Sequence, residues 1–187
     1  MTIHEYGDRN KPHILLIHGM WMCHEMMLPY VDKMRNSYHI IAPDLTGHGD
    51  DMGSFTGAES DAIQIGKWLA DHDIKSLDLV FSASMGCVVA MYLVADSPWL
   101  SVKCSVMEGA ALTRMKGVEW VFRAMMGGMQ KHPDAIYKMY SSVSVDDGVA
   151  DKLADAMRRT DKKALECMVH TCNDFKYEQC LLPKAVF

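Results

Sequence analysis

The stretch that decides the fold is Leu79-Val-Phe-Ser-Ala-Ser84-Met-Gly86-Cys-Val-Val-Ala-Met-Tyr-Leu93. The apolar run before its centre has the length of a buried strand, and the apolar run after Ser84 is long enough for a buried helix. Small residues between the two runs allow strand and helix to pass closely through a sharp turn with Ser84 at its apex. A serine held there would project above the sheet, beside the partial positive charge of the helix N-terminus.

This turn resembles the nucleophile elbow of the α/β-hydrolase family, which has the pattern G-x-S-x-G. Ser82 stands where the family has its first glycine, and the rest of 82–86 fits the pattern. Two upstream motifs are also similar to the family: His18-Gly19 after an apolar run, and Asp44 with Gly47-His48-Gly49 as a D-x-x-G-x-G loop. The resemblance covers nearly the whole chain. It implies an α/β fold with a mostly parallel sheet and flanking helices.

The first 109 residues alternate apolar runs with amphipathic segments. Besides the strand before Ser84, this pattern predicts strands over 13–17, 38–42 and 102–107, and helices over 26–35 and 58–72. Strands that alternate with helices at this spacing indicate a parallel sheet wound with crossover helices.

The pattern changes after Gly109, where helical segments follow one another without a convincing strand. The predicted helices are Val118–Gln130, Pro133–Tyr140, Val149–Arg159 and Lys162–Asn173. In the family, this position carries a helical cap over the active site. We therefore expect an α/β core over residues 1–113, an inserted helical cap over 114–181, and the start of a further core strand over 182–187. The family's C-terminal strands would then be missing.

Composition restricts the class of protein. The 187 residues suit one domain, and 49% of them are hydrophobic, which is enough for a sizeable core. A net charge of −5 without a cluster of Lys and Arg argues against a nucleic-acid partner. No apolar run approaches the roughly 20 residues of a membrane span. Residues 1–12 lack the apolar core of a signal peptide, so a cytoplasmic location is expected.

The six cysteines form no C-x-x-C pair, which argues against a zinc or redox motif and favours reduced thiols. Cys87 and Cys104 lie in apolar runs and are expected in the core. The family resemblance implies neither a metal ion nor an organic cofactor, and the expected partner is a small-molecule substrate.

Ser84 is the candidate nucleophile. A serine hydroxyl needs a base, a group that orients the base, and donors for the oxyanion. The alternative is that Ser84 only caps the helix after it. The resemblance implies oxyanion donors from the backbone amides of Met20 and Met85. It also places three residues at the pocket: His18, Gly19 and Trp21. For His18, a loop-ordering role is favoured over a catalytic one.

The acid and the base of the triad are harder to place. In the family, the histidine and the usual acid follow the last strands, which would lie beyond residue 187. Some members carry a carboxylate directly after the fourth strand, where Glu108 stands, so Glu108 is either the orienting acid or a loop carboxylate. His170 near Asp174 is expected to be solvated or packed in the cap. His48 lies in a loop that normally turns away from the elbow.

The expected reaction is hydrolysis of an ester or similar acyl substrate through an acyl-Ser84 intermediate. Many methionines flank the predicted pocket and would suit an apolar substrate, although an ordinary core rich in methionine explains them equally well. Two alternatives stay open: a C–C bond or lactone hydrolase of the same fold, and a non-catalytic fragment or degenerate member that binds a small ligand. Without a histidine in the family's position, we expect this chain to be catalytically incomplete. We also expect it to self-associate through an incomplete sheet edge.

Overall fold

The computed structural model describes residues 1–109, 119–133 and 146–173. The strands in these ranges are β1 (Thr2–Tyr6), β2 (His13–Ile17), β3 (His39–Asp44), β4 (Ser76–Leu77), β5 (Leu79–Ala83), β6 (Ser101–Val102) and β7 (Ser105–Glu108). The α-helices are α1 (Leu28–Met34), α2 (Ala58–Asp71), α3 (Met85–Asp96), α4 (Glu119–Gln130), α5 (Asp147–Arg159) and α6 (Lys162–Asn173), and a 3₁₀ turn over His24–Met27 precedes α1.

Five of the strands form one sheet in the order β1-β3-β2-β5-β7. Strand β1 runs antiparallel to β3, whereas the other neighbouring strands are parallel. Strands β4 and β6 form a separate parallel pair. The carboxyl ends of β2, β3, β5 and β7 therefore lie at one edge of the sheet, and the loops that follow them meet there. The predicted fold class, a mostly parallel sheet with flanking helices, is confirmed.

The alternating directions of strand side chains divide the core into two layers. Ile14 and Leu16 of β2 pack in a cluster that includes Val31 of α1. Leu15 and Ile17 point to the other face and belong to the larger cluster, which includes residues of α2 and α3. Helix α3 is apolar on nearly all sides and is correspondingly buried, which places the Ser84 turn on a rigid support.

The structure differs from the sequence-based prediction at two strands. Strand β1 was not predicted, because Thr2–Tyr6 is mostly polar and only half-buried at the sheet edge. The strand predicted over 102–107 is divided between β6 and β7. Between them the chain changes partner, since Lys103 N donates to Leu77 O while Cys104 O accepts from Val80 N. Cys104 is consequently exposed, so its predicted place in the core is wrong.

Three of the predicted helices after Gly109 correspond to α4, α5 and α6. Residues 134–140 and 182–187, which carry the other predicted helix and the last predicted strand, lie outside the described residues. The division into core and cap stays a prediction. Within the described ranges, no helix combines the length and the apolarity needed to cross a membrane.

Candidate active site

Ser84 lies in the turn between β5, which ends at Ala83, and α3, which begins at Met85. Its backbone has φ 49° and ψ −118°, a combination that residues with a side chain rarely adopt. Such strain persists only where the surrounding structure imposes it, and it is concentrated at functional sites. The predicted sharp turn with Ser84 at its apex is confirmed.

The side chain of Ser84 is exposed and makes no capping hydrogen bond to α3. The alternative role as a helix cap therefore lacks its defining contact. The backbone of Ser84 is held on both sides instead. Its amide donates to Glu108 O at 2.7 Å, and its carbonyl accepts from the amide of Cys87 at 3.0 Å.

Two glycines allow the loop after β2 to lie against this turn. A Cβ atom on Gly86 would be 2.8 Å from Ile17 O and closer still to His18 O, so only glycine lets α3 pass the end of β2. A Cβ atom on Gly19 would be 3.2 Å from Ser84 Cβ. The His18-Gly19 loop and Ser84 are thus direct neighbours.

The two amides expected to bind an oxyanion flank this contact. Met85 is the first residue of α3, so its N–H has no partner within the helix. Met20 follows Gly19 in a tight turn, where Met22 N donates to Gly19 O and Trp21 adopts φ 55°. The positions of both residues support the expected pair of donors, whose joint role stays a prediction.

His18 orders the loop from within the core. Its ring is buried, with Nδ1–H donating to Gly19 O at 2.8 Å and Nε2 accepting from Leu45 N at 3.0 Å. Burial lowers the pKa of His18, so the ring is neutral and its two nitrogens have opposite hydrogen-bonding roles. These bonds connect the loop after β2 to the loop after β3, which is the loop-ordering role favoured from the sequence.

Trp21 is also buried, and its Nε1 donates to Thr160 Oγ1, at the C-terminal end of α5, over 3.1 Å. The place of His18 and Trp21 at the substrate pocket stays a prediction. Both side chains support the loop from inside the protein. The partner of Trp21, Thr160, was missed because it lies 139 positions away in the sequence.

Asp44 occupies the end of β3 and organises the turn after it. Its buried carboxylate accepts from the amides of His24 at 2.7 Å and Asp50 at 2.8 Å. Burial alone would raise the pKa of Asp44, but the hydrogen bonds from His24 and Asp50 outweigh it and hold that pKa well below its usual range. A Cβ atom on Gly49 would overlap the carboxylate. The structural role expected for this loop is confirmed.

His48 is buried in the same loop, and its Nδ1–H donates to Thr46 O at 3.0 Å. Burial lowers the pKa of His48 to about 3, so the ring stays neutral. In the described ranges, no histidine ring forms a hydrogen bond with Ser84. His170 lies on α6, and Asp174, its predicted partner, is outside the described residues.

Glu108 ends β7 and is paired in register with Ala83, directly beside the turn. Its backbone carbonyl accepts a hydrogen bond from the amide of Ser84, while its side chain is exposed. Glu108 therefore stands next to the candidate nucleophile through its backbone. Its role as the orienting acid stays a prediction.

A cavity of about 560 Å³ lies between α2, α3 and α6. It is lined by the start of α2 together with Val88, Tyr92, His170 and Thr171. None of the predicted site residues is among the residues that line it.

Comparison with known proteins agrees with this geometry. Residues 14–178 match the alpha/beta hydrolase family. A search of curated proteins found no match. Among solved structures, the chain is similar to an alpha/beta hydrolase family protein from Desulfitobacterium hafniense, with a TM-score of 0.70 and 16% identity over 95% of this chain and 74% of that one.

It is also similar to an esterase from a marine microorganism, with a TM-score of 0.66 and 13% identity over 92% of this chain and 73% of that one. A third similar structure is an N-acyl homoserine lactonase mutant in complex with N-hexanoyl homoserine lactone. That likeness has a TM-score of 0.71 and 17% identity over 92% of this chain and 66% of that one. At these identities the likeness shows the fold alone.

Proposed function

Because this chain belongs to the α/β-hydrolase family, we propose that it hydrolyses esters or similar acyl substrates through an acyl-Ser84 intermediate. The observation that carries the proposal is the strained, exposed Ser84 at the strand-to-helix turn, packed against Gly19. In this reaction Ser84 Oγ attacks the substrate carbonyl and gives its proton to a base, and the alcohol leaves with a proton. Water then cleaves the acyl ester and regenerates Ser84.

The charge that develops on the substrate oxygen would be bound by the amides of Met20 and Met85. Each such donor typically contributes about 3 kcal/mol to stabilising the transition state. We assign Glu108 as the group that orients the base, on the basis of its place beside the turn.

The proposal includes slow turnover by the 187-residue chain. In the described ranges, no histidine ring hydrogen-bonds to Ser84. Removing the base of a catalytic triad typically lowers turnover by a factor on the order of 10⁶. An added small base should therefore restore part of the rate, provided that Ser84 is the nucleophile.

The experiment compares hydrolysis of p-nitrophenyl butyrate by the wild type, Ser84→Ala and Ser82→Ala, with and without added imidazole. Ser82 is the matched control, since it lies two residues before Ser84, in β5, but is buried. We expect imidazole to raise the rate of the wild type and of Ser82→Ala above that of Ser84→Ala. Glu108→Gln should reduce this gain. Equal rates for the wild type and Ser84→Ala under both conditions would contradict the proposal and favour a non-catalytic binding role.

Lactones are a second candidate substrate class, supported by the similarity to a lactonase. A lactone is a cyclic ester, so the same attack by Ser84 would open the ring. Ring opening of an N-acyl homoserine lactone, measured on the same variants, separates the two classes. A rate that depends on Ser84 only for the lactone would favour this second candidate.

A further inference from the structure

Two histidines and two aspartates converge where β1 and β3 lie beside the loop after β2. The cluster consists of His4, His24, Asp44 and Asp50, and one ligand atom of each lies within 4.8 Å of the others. Asp44 Oδ2 is 3.0 Å from His4 Nε2 and 3.1 Å from His24 Nδ1. Asp50 Oδ2 is 3.8 Å from His4 Nε2. None of these residues belongs to the proposed acyl-transfer machinery.

We propose that these four side chains bind a divalent transition-metal ion, with Zn²⁺ as the preferred ion. Two imidazole nitrogens and two carboxylate oxygens are a donor set that suits zinc. In a tetrahedral site with bonds of about 2.0 Å, neighbouring ligand atoms are about 3.3 Å apart. Three of the six separations are 3.0, 3.1 and 3.8 Å, near that value, and all six are within 4.8 Å. An ion could therefore enter the centre once the two histidine rings tilt toward it.

The ligands are already held in place by the rest of the protein. The rings of His4 and His24 stack with their centroids 3.4 Å apart and their planes at 13°, which places both rings beside the cluster but requires them to tilt before both nitrogens point at one ion. The carboxylate of Asp44 is buried and oriented by two backbone amides. Lys152 of α5 contacts Asp50 Oδ1 at 2.8 Å, which leaves Oδ2 on the side of His4. Such preorganisation lowers the cost of binding an ion.

The local charge also favours a divalent cation. Glu25 adds a third carboxylate next to the cluster. It forms an ion pair with Lys152, and its other oxygen is buried, 3.2 Å from His24 Nδ1. The carboxylates of Glu25, Asp44 and Asp50 with the single ammonium of Lys152 leave two negative charges. A divalent ion would neutralise them.

Such an ion would join elements that are distant in sequence. His4 belongs to β1, Asp44 to the end of β3, and His24 to the segment between β2 and α1. Because the ligands come together only in the folded chain, zinc should stabilise the fold in proportion to its concentration.

The test titrates ZnCl₂ into the full 187-residue chain after treatment with a chelator, using calorimetry and thermal unfolding. We expect one zinc ion per chain and a rise in Tm. His4→Gln and His24→Gln should each weaken the affinity by about 100-fold or more, since even outer-shell changes typically cost 10- to 100-fold. The matched control is His39→Gln, because His39 belongs to a second histidine–carboxylate group with His13 and Glu5. This control should keep the affinity of the wild type.

The proposal is overturned if the folded wild type binds no zinc, if both cluster variants keep its affinity, or if only His39→Gln loses it. Should His24→Gln fail to fold, His4→Gln decides the matter, because His4 is partly exposed on an edge strand. Co²⁺ gives a further readout. Strong visible absorption typical of four-coordinate cobalt is expected in the wild type, and a weak octahedral spectrum would contradict the assigned donor set. All of these readouts are independent of ester hydrolysis, so they stand apart from the test of Ser84.

Discussion

Ser84 owes its position to the small residues around it more than to its own contacts. Gly86 lets the first turn of α3 approach the carbonyl groups at the end of β2, and Gly19 lets the following loop reach Ser84. A larger side chain at either glycine would push the helix or the loop away from the turn. The proposed chemistry of Ser84 therefore depends on glycines that themselves take no part in the reaction.

The first prediction concerns Gly86→Ala. The added methyl group meets the carbonyl oxygens of Ile17 and His18, which are backbone atoms and cannot move aside easily. We expect the free energy of unfolding to fall by about 2 kcal/mol. The control is Gly128→Ala in α4, where an added Cβ has no neighbour within 4 Å, and a gain of about 0.5–1 kcal/mol is expected. Urea unfolding measures the free energy of unfolding of both variants. An unchanged free energy for Gly86→Ala would contradict the close approach of α3 to the end of β2.

The second prediction concerns Asp61, a buried carboxyl in the first turn of α2. Burial raises the pKa of Asp61 to about 6, although the amide and hydroxyl of Thr46 donate to it and act in the opposite direction. The folded chain therefore holds this proton over a pH range in which the unfolded chain has lost it. Asp61 contributes stability below about pH 4, and that contribution is lost as the pH rises through about 6.

Asp61→Asn should remove this pH dependence. Between pH 4 and pH 7, the wild type should lose up to about 3 kcal/mol relative to the variant. Thermal unfolding over this range measures the difference, with Glu59→Gln, an exposed position in the same turn, as the control. Parallel profiles for the wild type and Asp61→Asn would show that Asp61 is not responsible.

Helix α5 connects the helical part of the described chain to the loops of the sheet. At its C-terminal end, Thr160 accepts from Trp21, while Arg159 donates to Asp51 O at 3.0 Å and Gly49 O at 3.2 Å. The helix therefore touches both the loop that carries Met20 and the loop organised by Asp44. Its placement should influence the geometry around Ser84 through these contacts.

The third prediction tests this connection with Thr160→Val. The substitution keeps the shape of the side chain but leaves Trp21 Nε1–H buried without an acceptor. A loss of about 1–3 kcal/mol is expected, because an unsatisfied buried donor is costly. Thr160→Ser retains the hydroxyl and should lie close to the wild type. If urea unfolding gives the same free energy of unfolding for Thr160→Val and Thr160→Ser, the hydrogen bond from Trp21 does not anchor α5.

The elements that could be predicted are those whose signal is local. The run around Ser84 and the strand at 13–17 are visible in the sequence because apolar side chains there are contiguous. The bond from Trp21 to Thr160 and the contact of His4 with Asp44 could not be predicted, since each joins residues far apart in the chain. Strand β1 was missed for a related reason. Its polar side chains suit a half-buried edge and carry no core pattern.

The two outer strands of the described sheet differ in how they face solvent. Strand β1 carries charged and polar side chains, including Glu5, which forms an ion pair with Arg9. Such residues discourage the pairing of one sheet edge with another. Strand β7 instead exposes the apolar Val106, and no strand in the described ranges pairs with its outer side. An edge of this kind is a template for another chain.

The last prediction is that the 187-residue chain self-associates through β7 and that Val106→Lys weakens the association. A lysine on an edge strand opposes pairing by charge repulsion, because two copies would bring two ammonium groups together. Val121→Lys on α4 is the matched control, since Val106 and Val121 are both 44% exposed and the substitution adds the same charge. Sedimentation velocity over a range of concentrations should show the wild type and Val121→Lys as oligomers and Val106→Lys shifted toward monomer. If the wild type is a monomer, the β7 edge is not an interface. If Val106→Lys and Val121→Lys dissociate the oligomer equally, the association depends on net charge instead of on β7.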